Sequence, residues 1–131
     1  MAVVLPVSRA LLEMNRGNYP QALQLLEPAR RYELGGIAGF FINYVRGTIY
    51  LKQKMAQEAA TEFQKILDHR GVDIYSSLYP LAHLGLARAA ALTGDAGKSR
   101  KEYQDFLALW KDADSDLPIL VEAKKEYDLV K

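Results

Sequence analysis

The sequence predicts an all-α protein in which three helical hairpins stack and a C-terminal helix caps the stack. The main observation is one spacing pattern that occurs three times. In each copy a small residue is followed by a turn residue at the seventh position, a second small residue at the twelfth and a large apolar residue at the sixteenth. The copies are Ala10, Gly17, Ala22 and Leu26; Gly47, Lys54, Ala59 and Phe63; and Ala87, Gly94, Ser99 and Tyr103. Register positions are counted from Ala10, Gly47 and Ala87.

This spacing has a direct physical meaning. A small residue in one helix lets a second helix approach closely, and the small residue at position 12 does the same from the partner helix. The large apolar residue one turn later lies on the same face and fills the gap between the helices. Glycine at position 7 suits a tight turn, because it adopts positive φ without a Cβ clash. The repeating unit is therefore a helical hairpin of about 34 residues.

The elements follow from the apolar periodicity and from the turn formers between them. We expect one domain over residues 1–131, with repeats at about 3–36, 40–73 and 80–113. Helices are expected at roughly 6–16, 19–33, 39–53, 56–70, 78–93 and 96–111, and the capping helix at roughly 117–130.

Prolines and aspartates sharpen these helix boundaries. Pro80 falls in a first turn, where its missing N–H is harmless, whereas Pro28 should kink the second helix or end it early. Asp95 and Asp116 are the expected N-caps of the sixth and seventh helices. The segments "ELGGIAG" and "RGVDIYSSLYP" hold the extra residues between repeats.

Composition argues against several classes of protein. Lys and Arg number 17 and Asp and Glu 16, so the net charge of +1 lacks the basic excess of a nucleic-acid binder. With no cysteine, disulfides and thiolate metal sites are excluded. The longest nearly apolar run, "GGIAGFFINYV", is far shorter than the ~20 residues of a membrane helix. We expect a cytoplasmic protein without a cofactor, without a bound nucleic acid and without membrane insertion.

Three short motifs resemble catalytic or metal-binding sequences but lack required residues. "LTGDAGKS" ends like a phosphate-binding loop, yet Leu92 replaces the first glycine and a helical run precedes it. "DADSD" starts like a calcium loop, but Leu117 and Ala123 stand where glycine and glutamate are needed. "DHRG" and "DFL" resemble the catalytic and metal-binding motifs of kinases, but Gly71 replaces the catalytic aspartate of the first and Leu107 the glycine of the second. We therefore expect no enzymatic activity in this chain and no catalytic residues.

The two histidines, His69 and His83, lie in different predicted helices without a clear carboxylate partner. This favours a helix-end histidine and a packed histidine over a metal ligand or an acid–base group.

The recurring residues resemble the tetratricopeptide (TPR) repeat. The middle repeat carries Gly47, Tyr50, Ala59 and Phe63 at signature positions, whereas the positions of the early tryptophan hold Pro6, Asn43 and His83. The resemblance implies hairpins stacked as a right-handed superhelix. The residues expected to carry the packing are Ala10, Ala22, Leu26, Gly47, Tyr50, Ala59, Phe63, Ala87 and Tyr103.

Longer stretches resemble a more specific group. "EAATEFQKILDHRG", "LAHLGLARAAALTGD" and "YQDFLALWKDADSDLPIL" are similar to the C-terminal TPR regions of bacterial eukaryotic-like serine/threonine protein kinases. Similar regions follow winged-helix domains in some bacterial regulators. The resemblance implies a sensor or docking tail of a signalling protein, with any catalytic or DNA-binding part outside this chain.

In TPR proteins the first helix of each hairpin lines a concave groove that receives a partner segment. Projecting this register onto the chain gives the expected groove residues Asn15, Phe41, Tyr44, Thr48, Lys52, Leu84 and Arg88. A carboxylate clamp is not expected, because the first repeat offers apolar Val7 and Leu11 instead of Lys and Asn. The partner would be a protein or peptide. The alternative is that a homodimer or the parent protein itself covers the groove.

Overall fold

The computed structural model describes residues 4–28, 37–69, 78–111 and 116–131, and within these ranges it contains seven α-helices and no strand. The prediction of an all-α protein is thus confirmed. The helices are α1 (Val4–Asn15), α2 (Tyr19–Leu26), α3 (Ile37–Lys52), α4 (Ala56–Asp68), α5 (Leu78–Thr93), α6 (Ala96–Leu109) and α7 (Pro118–Val130).

Most helix ends lie within two residues of the prediction, and two differences have a clear local cause. Helix α2 ends at Leu26 and passes into a 3₁₀ turn at Pro28, so the helix stops before the proline, and predicted residues 29–33 lie outside the described part. Asp116 is not the N-cap of α7, since Leu117 holds that position without a side-chain cap bond. The reason is Pro118, whose fixed φ and missing N–H suit the first helical position and set the cap one residue later.

The three hairpin turns share a left-handed residue at register position 7. Gly17 and Gly94 have φ values of +82° and +81°, and Lys54 adopts φ +60° at the equivalent place. Asp95 then caps α6, because its carboxylate accepts a hydrogen bond from the Lys98 N–H at 3.1 Å. The segment that resembles a phosphate-binding loop is therefore the turn between α5 and α6.

Eight of the nine predicted packing residues are buried, and the ninth, Tyr50, is half-buried. The small and large residues at positions 0, 12 and 16 are all buried. A methyl carbon placed on Gly47 would lie 2.8 Å from the Phe63 ring, which shows how closely that ring packs on α3. In the third hairpin the Ser99 hydroxyl donates a hydrogen bond to the Ala87 carbonyl at 2.9 Å.

The hairpins meet through three apolar clusters, each shared between one hairpin and the next odd-numbered helix. The first cluster joins α1 and α2 to α3, and the second joins α3 and α4 to α5. The third joins α5 and α6 to α7 through buried residues that include Leu120 and Ala123. Helix α7 thus packs on the third hairpin, mainly against α6.

The inter-repeat segments fall mainly outside the described residues. This applies to most of "ELGGIAG" and "RGVDIYSSLYP", to the predicted ends of the repeats, and to most of "DADSD". Among the helices that the structure describes, none is both long and apolar enough to cross a membrane.

Candidate functional site

The odd-numbered helices α3, α5 and α7 enclose an open groove of about 560 Å³ on one side of the molecule. This volume lies within the range of about 300–1,000 Å³ that is usual for ligand sites. The groove is called the α3/α5/α7 groove below. Its lining residues are Thr48, Leu51 and Lys52 of α3, Arg88, Ala91 and Leu92 of α5, Tyr103 of α6, and Glu122, Glu126, Leu129 and Val130 of α7.

One wall of the groove is held by a polar cluster around Glu126. The Arg88 guanidinium donates two hydrogen bonds to the Glu126 carboxylate, at 2.9 and 3.0 Å, and the Tyr103 hydroxyl donates a third at 2.8 Å. Burial, together with the bond to Glu126, raises the pKa of the Tyr103 hydroxyl. The two-pronged bond fixes the orientation of α7 against α5.

Other side chains in the groove remain available to a ligand. Leu92 and Leu129 are 43% and 86% exposed, which is high for leucine. Lys52 is exposed and makes no ion pair within the described ranges. The Glu122 side chain is 68% exposed and lies 3.9 Å from Arg88, too far for a hydrogen bond. The groove therefore offers two exposed leucines, a lysine without an ion pair in the described part of the chain, and a solvated carboxylate.

The structure places three of the predicted groove residues in the groove. Thr48 and Arg88 stand at register position 1 and Lys52 at position 5, and all three line the α3/α5/α7 groove. Leu92, also at position 5, lies beside them. Side chains at positions 1 and 5 thus face the α3/α5/α7 groove, although Arg88 is already hydrogen-bonded to Glu126 of α7.

The residues one turn earlier do not line this groove. Leu84 is only 2% exposed and belongs to the cluster that joins α5 and α6 to α7, so its prediction as a surface contact is wrong. Tyr44 is half-buried, and its ring contacts Phe63 edge-on at 6.1 Å. Both stand at position −3, where the side chains join the apolar clusters between the helices.

The remaining predicted residues lie elsewhere on the surface. Phe41 is partly exposed and stacks on Tyr44, with ring centroids 6.4 Å apart. Asn15 is exposed at the end of α1 and is not part of the groove wall. Val7, considered for the carboxylate clamp, is buried in the first cluster.

A second polar cluster was missed by the sequence reasoning. The Nδ1 atom of His83 lies 2.7 Å from a carboxylate oxygen of Glu102 and 3.9 Å from one of Asp105. The expectation that His83 has no carboxylate partner is therefore wrong, whereas His69 does end a helix, as expected. The available signal was the hairpin register, which places His83 on α5 opposite acids at positions 15 and 18 on α6.

Comparisons with protein-family models, with curated proteins and with solved structures find no match to this chain. The assignment of a function therefore depends on the two polar clusters, the α3/α5/α7 groove and the hairpin register.

Proposed function

We propose that this chain is a non-catalytic protein-interaction module of TPR type that binds an extended or helical partner segment in the α3/α5/α7 groove. The observation that carries the proposal is the groove itself, lined at register positions 1 and 5 by Thr48, Lys52, Arg88 and Leu92. In a stack of helical hairpins, first helices form such a continuous concave surface. The hairpins would then form a right-handed superhelix with α7 as its cap.

The chemistry of the groove defines the partner segment. Exposed Leu92 and Leu129 favour an apolar side chain that would be removed from water on binding. Lys52 favours an acidic residue or a chain terminus beside it, whereas Glu122 favours a basic residue on the α7 side. We therefore propose a peptide with an apolar anchor between an acidic and a basic residue.

The resemblance to kinase-associated TPR regions supports a place for this module in a bacterial signalling protein. The module would act there as a docking or regulatory segment, and any chemical step would belong to another part of that protein. Self-association through the same groove is the competing function, and the experiment below separates the two.

The test uses wild-type protein as bait in a native lysate, with variants chosen so that the fold is preserved. Leu92→Asp and Lys52→Glu change exposed groove residues, and Leu12→Asp changes a somewhat more exposed leucine on α1. Arg88 and Tyr44 are unsuitable, because they hold Glu126 and pack on Phe63.

We expect a partner that wild type and Leu12→Asp retain and that both groove variants lose. Retention by all four proteins would contradict binding at this groove. If none retains a partner and light scattering shows a dimer that Leu92→Asp dissociates, the groove serves self-association instead.

A further inference from the structure

We propose that His83, Glu102 and Asp105 form a binding site for a divalent transition-metal ion such as Zn²⁺ between α5 and α6. One ligand atom from each side chain lies within 4.8 Å of the other two. The site is separate from the α3/α5/α7 groove, since the cavity beside it shares no lining residue with that groove.

The distances among the three side chains suit a shared ion. Ligand atoms about 2.1 Å from a tetrahedral ion lie about 3.4 Å from one another. The separations of His83 Nδ1 from the Glu102 and Asp105 oxygens are 2.7 and 3.9 Å, which bracket this value. Small side-chain rotations would therefore bring all three atoms into one coordination sphere without a change in the helices.

The surroundings provide both rigidity and access. Glu102 is buried and the His83 side chain is only 11% exposed, so the packing of α5 on α6 restricts both ligands. Asp105 is more exposed, and with His83 it borders an open cavity of about 450 Å³ next to Ala108 and Leu109. That cavity leaves room for a water molecule to complete the coordination.

The ligand types select the class of ion. One imidazole nitrogen and two carboxylate oxygens suit Zn²⁺, Co²⁺ or Mn²⁺, whereas Mg²⁺ and Ca²⁺ prefer oxygen ligands throughout. The main competitor for the site is Lys101, whose ammonium lies 2.9 Å from Asp105. That lysine side chain is 71% exposed, so an ion displaces it at little cost.

A comparison with the second hairpin explains why we propose the metal site in the third hairpin. Its equivalents at positions 15 and 18 are Glu62 and Lys65, and Lys65 donates a hydrogen bond to Glu62 at 3.1 Å. Arg46 also donates to Glu62, so two cations already surround that buried carboxylate. In the third hairpin, Asp105 replaces the lysine and His83 replaces the arginine as the partner, which converts a cation-filled position into a chelating one.

The experiment titrates the metal-free chain with Zn²⁺ in a calorimeter and with Co²⁺ in a visible-absorption spectrometer. The test variants are His83→Gln and Asp105→Asn, and the matched control is His69→Gln at the other, exposed histidine. Lys101→Ala removes the competing ammonium. Thermal unfolding with and without Zn²⁺ provides a separate measure of binding.

We expect one Zn²⁺ per chain, a Co²⁺ ligand-field spectrum, and a Tm rise on the order of 10 °C near one hundred times Kd. His83→Gln and Asp105→Asn should weaken binding at least about tenfold, and Lys101→Ala should strengthen it. The absence of saturable binding by wild type would overturn the proposal, as would loss of binding in His69→Gln. If His83→Gln does not fold, the Zn²⁺ affinity of Asp105→Asn provides the test, because Asp105 is partly exposed and its substitution should preserve the fold. An affinity equal to that of wild type would then refute the site.

Discussion

Replacing Gly85 with alanine tests the close contact between α5 and the Phe63 ring of the second hairpin. Gly85 of α5 faces the Phe63 ring of α4, and a methyl carbon on Gly85 would lie 2.5 Å from that ring. Carbon atoms in contact normally stay about 3.5–4.0 Å apart, so the ring would have to move by roughly 1 Å. Phe63 is fully buried and lies almost as close to Gly47, which leaves it little space.

Two opposing terms set the magnitude of the effect. Alanine instead of glycine inside a helix gains about 1 kcal/mol in propensity. Overpacking in a filled core costs about 1–3 kcal/mol and occasionally more. Because the overlap involves a fully buried ring, we take the upper part of that range and expect Gly85→Ala to lower the free energy of unfolding by about 1–2 kcal/mol.

Urea unfolding followed by far-ultraviolet circular dichroism measures this change. Gly97→Ala is the matched control, because the nearest atom to its added methyl would be 3.9 Å away on exposed Asp95, and we expect a gain of up to about 1 kcal/mol. Phe63→Leu alone and the double variant Gly85→Ala/Phe63→Leu complete a double-mutant cycle, in which the double variant should lose less stability than the two single losses added together, by at least about 0.5 kcal/mol. A urea midpoint of Gly85→Ala at or above that of wild type would refute the tight packing of Phe63 against Gly85.

Three further predictions concern other parts of the fold. Lys54→Gly should raise stability to urea by about 0.5–1 kcal/mol, because a left-handed non-glycine residue is strained, and a lower midpoint would contradict this. Glu126→Gln should cost about 1 kcal/mol and speed amide exchange in α7, whereas Glu122→Gln should not. Folding raises the pKa of the Tyr103 hydroxyl above its ordinary value of ~10. The stabilisation by the neutral hydroxyl is therefore complete below pH ~10 and declines at higher pH. Between about pH 8 and 11 the free energy of unfolding should decline less steeply in Tyr103→Phe than in wild type.

The hairpin frame could be predicted from the sequence because it depends on local chemistry. Small residues at positions 0 and 12 and large ones at 16 have short-range consequences for packing, and all of them are buried. Lys54 shows that the register carries more information than residue type, since this residue adopts the left-handed turn conformation without being a glycine. The end of α2 near Pro28 follows from the same local reasoning.

The site could be predicted only in part, because its contacts join residues far apart in the chain. The register placed Thr48, Lys52 and Arg88 on the first helices, but it could not show that Glu126, 38 residues after Arg88, would bond to it. That contact depends on how α7 docks, which no spacing within a hairpin determines. Leu84 was assigned to the surface for the same reason, since α7 is the helix that contributes to burying it.

Buried charges show how one frame supports different chemistry in successive hairpins. Register position 15 holds a buried glutamate twice, as Glu62 in α4 and as Glu102 in α6. Burying a carboxylate is costly unless a partner satisfies it, so each site needs a cation or donor within reach. Arg46 at position −1 serves Glu62, whereas His83 at position −4 serves Glu102. Because side chains at positions −1 and −4 can both reach the carboxylate at position 15, the hairpin packing fixes the place of the glutamate but not the identity of its partner. Where that partner is a histidine, as in the third hairpin, the pair can also bind a metal ion.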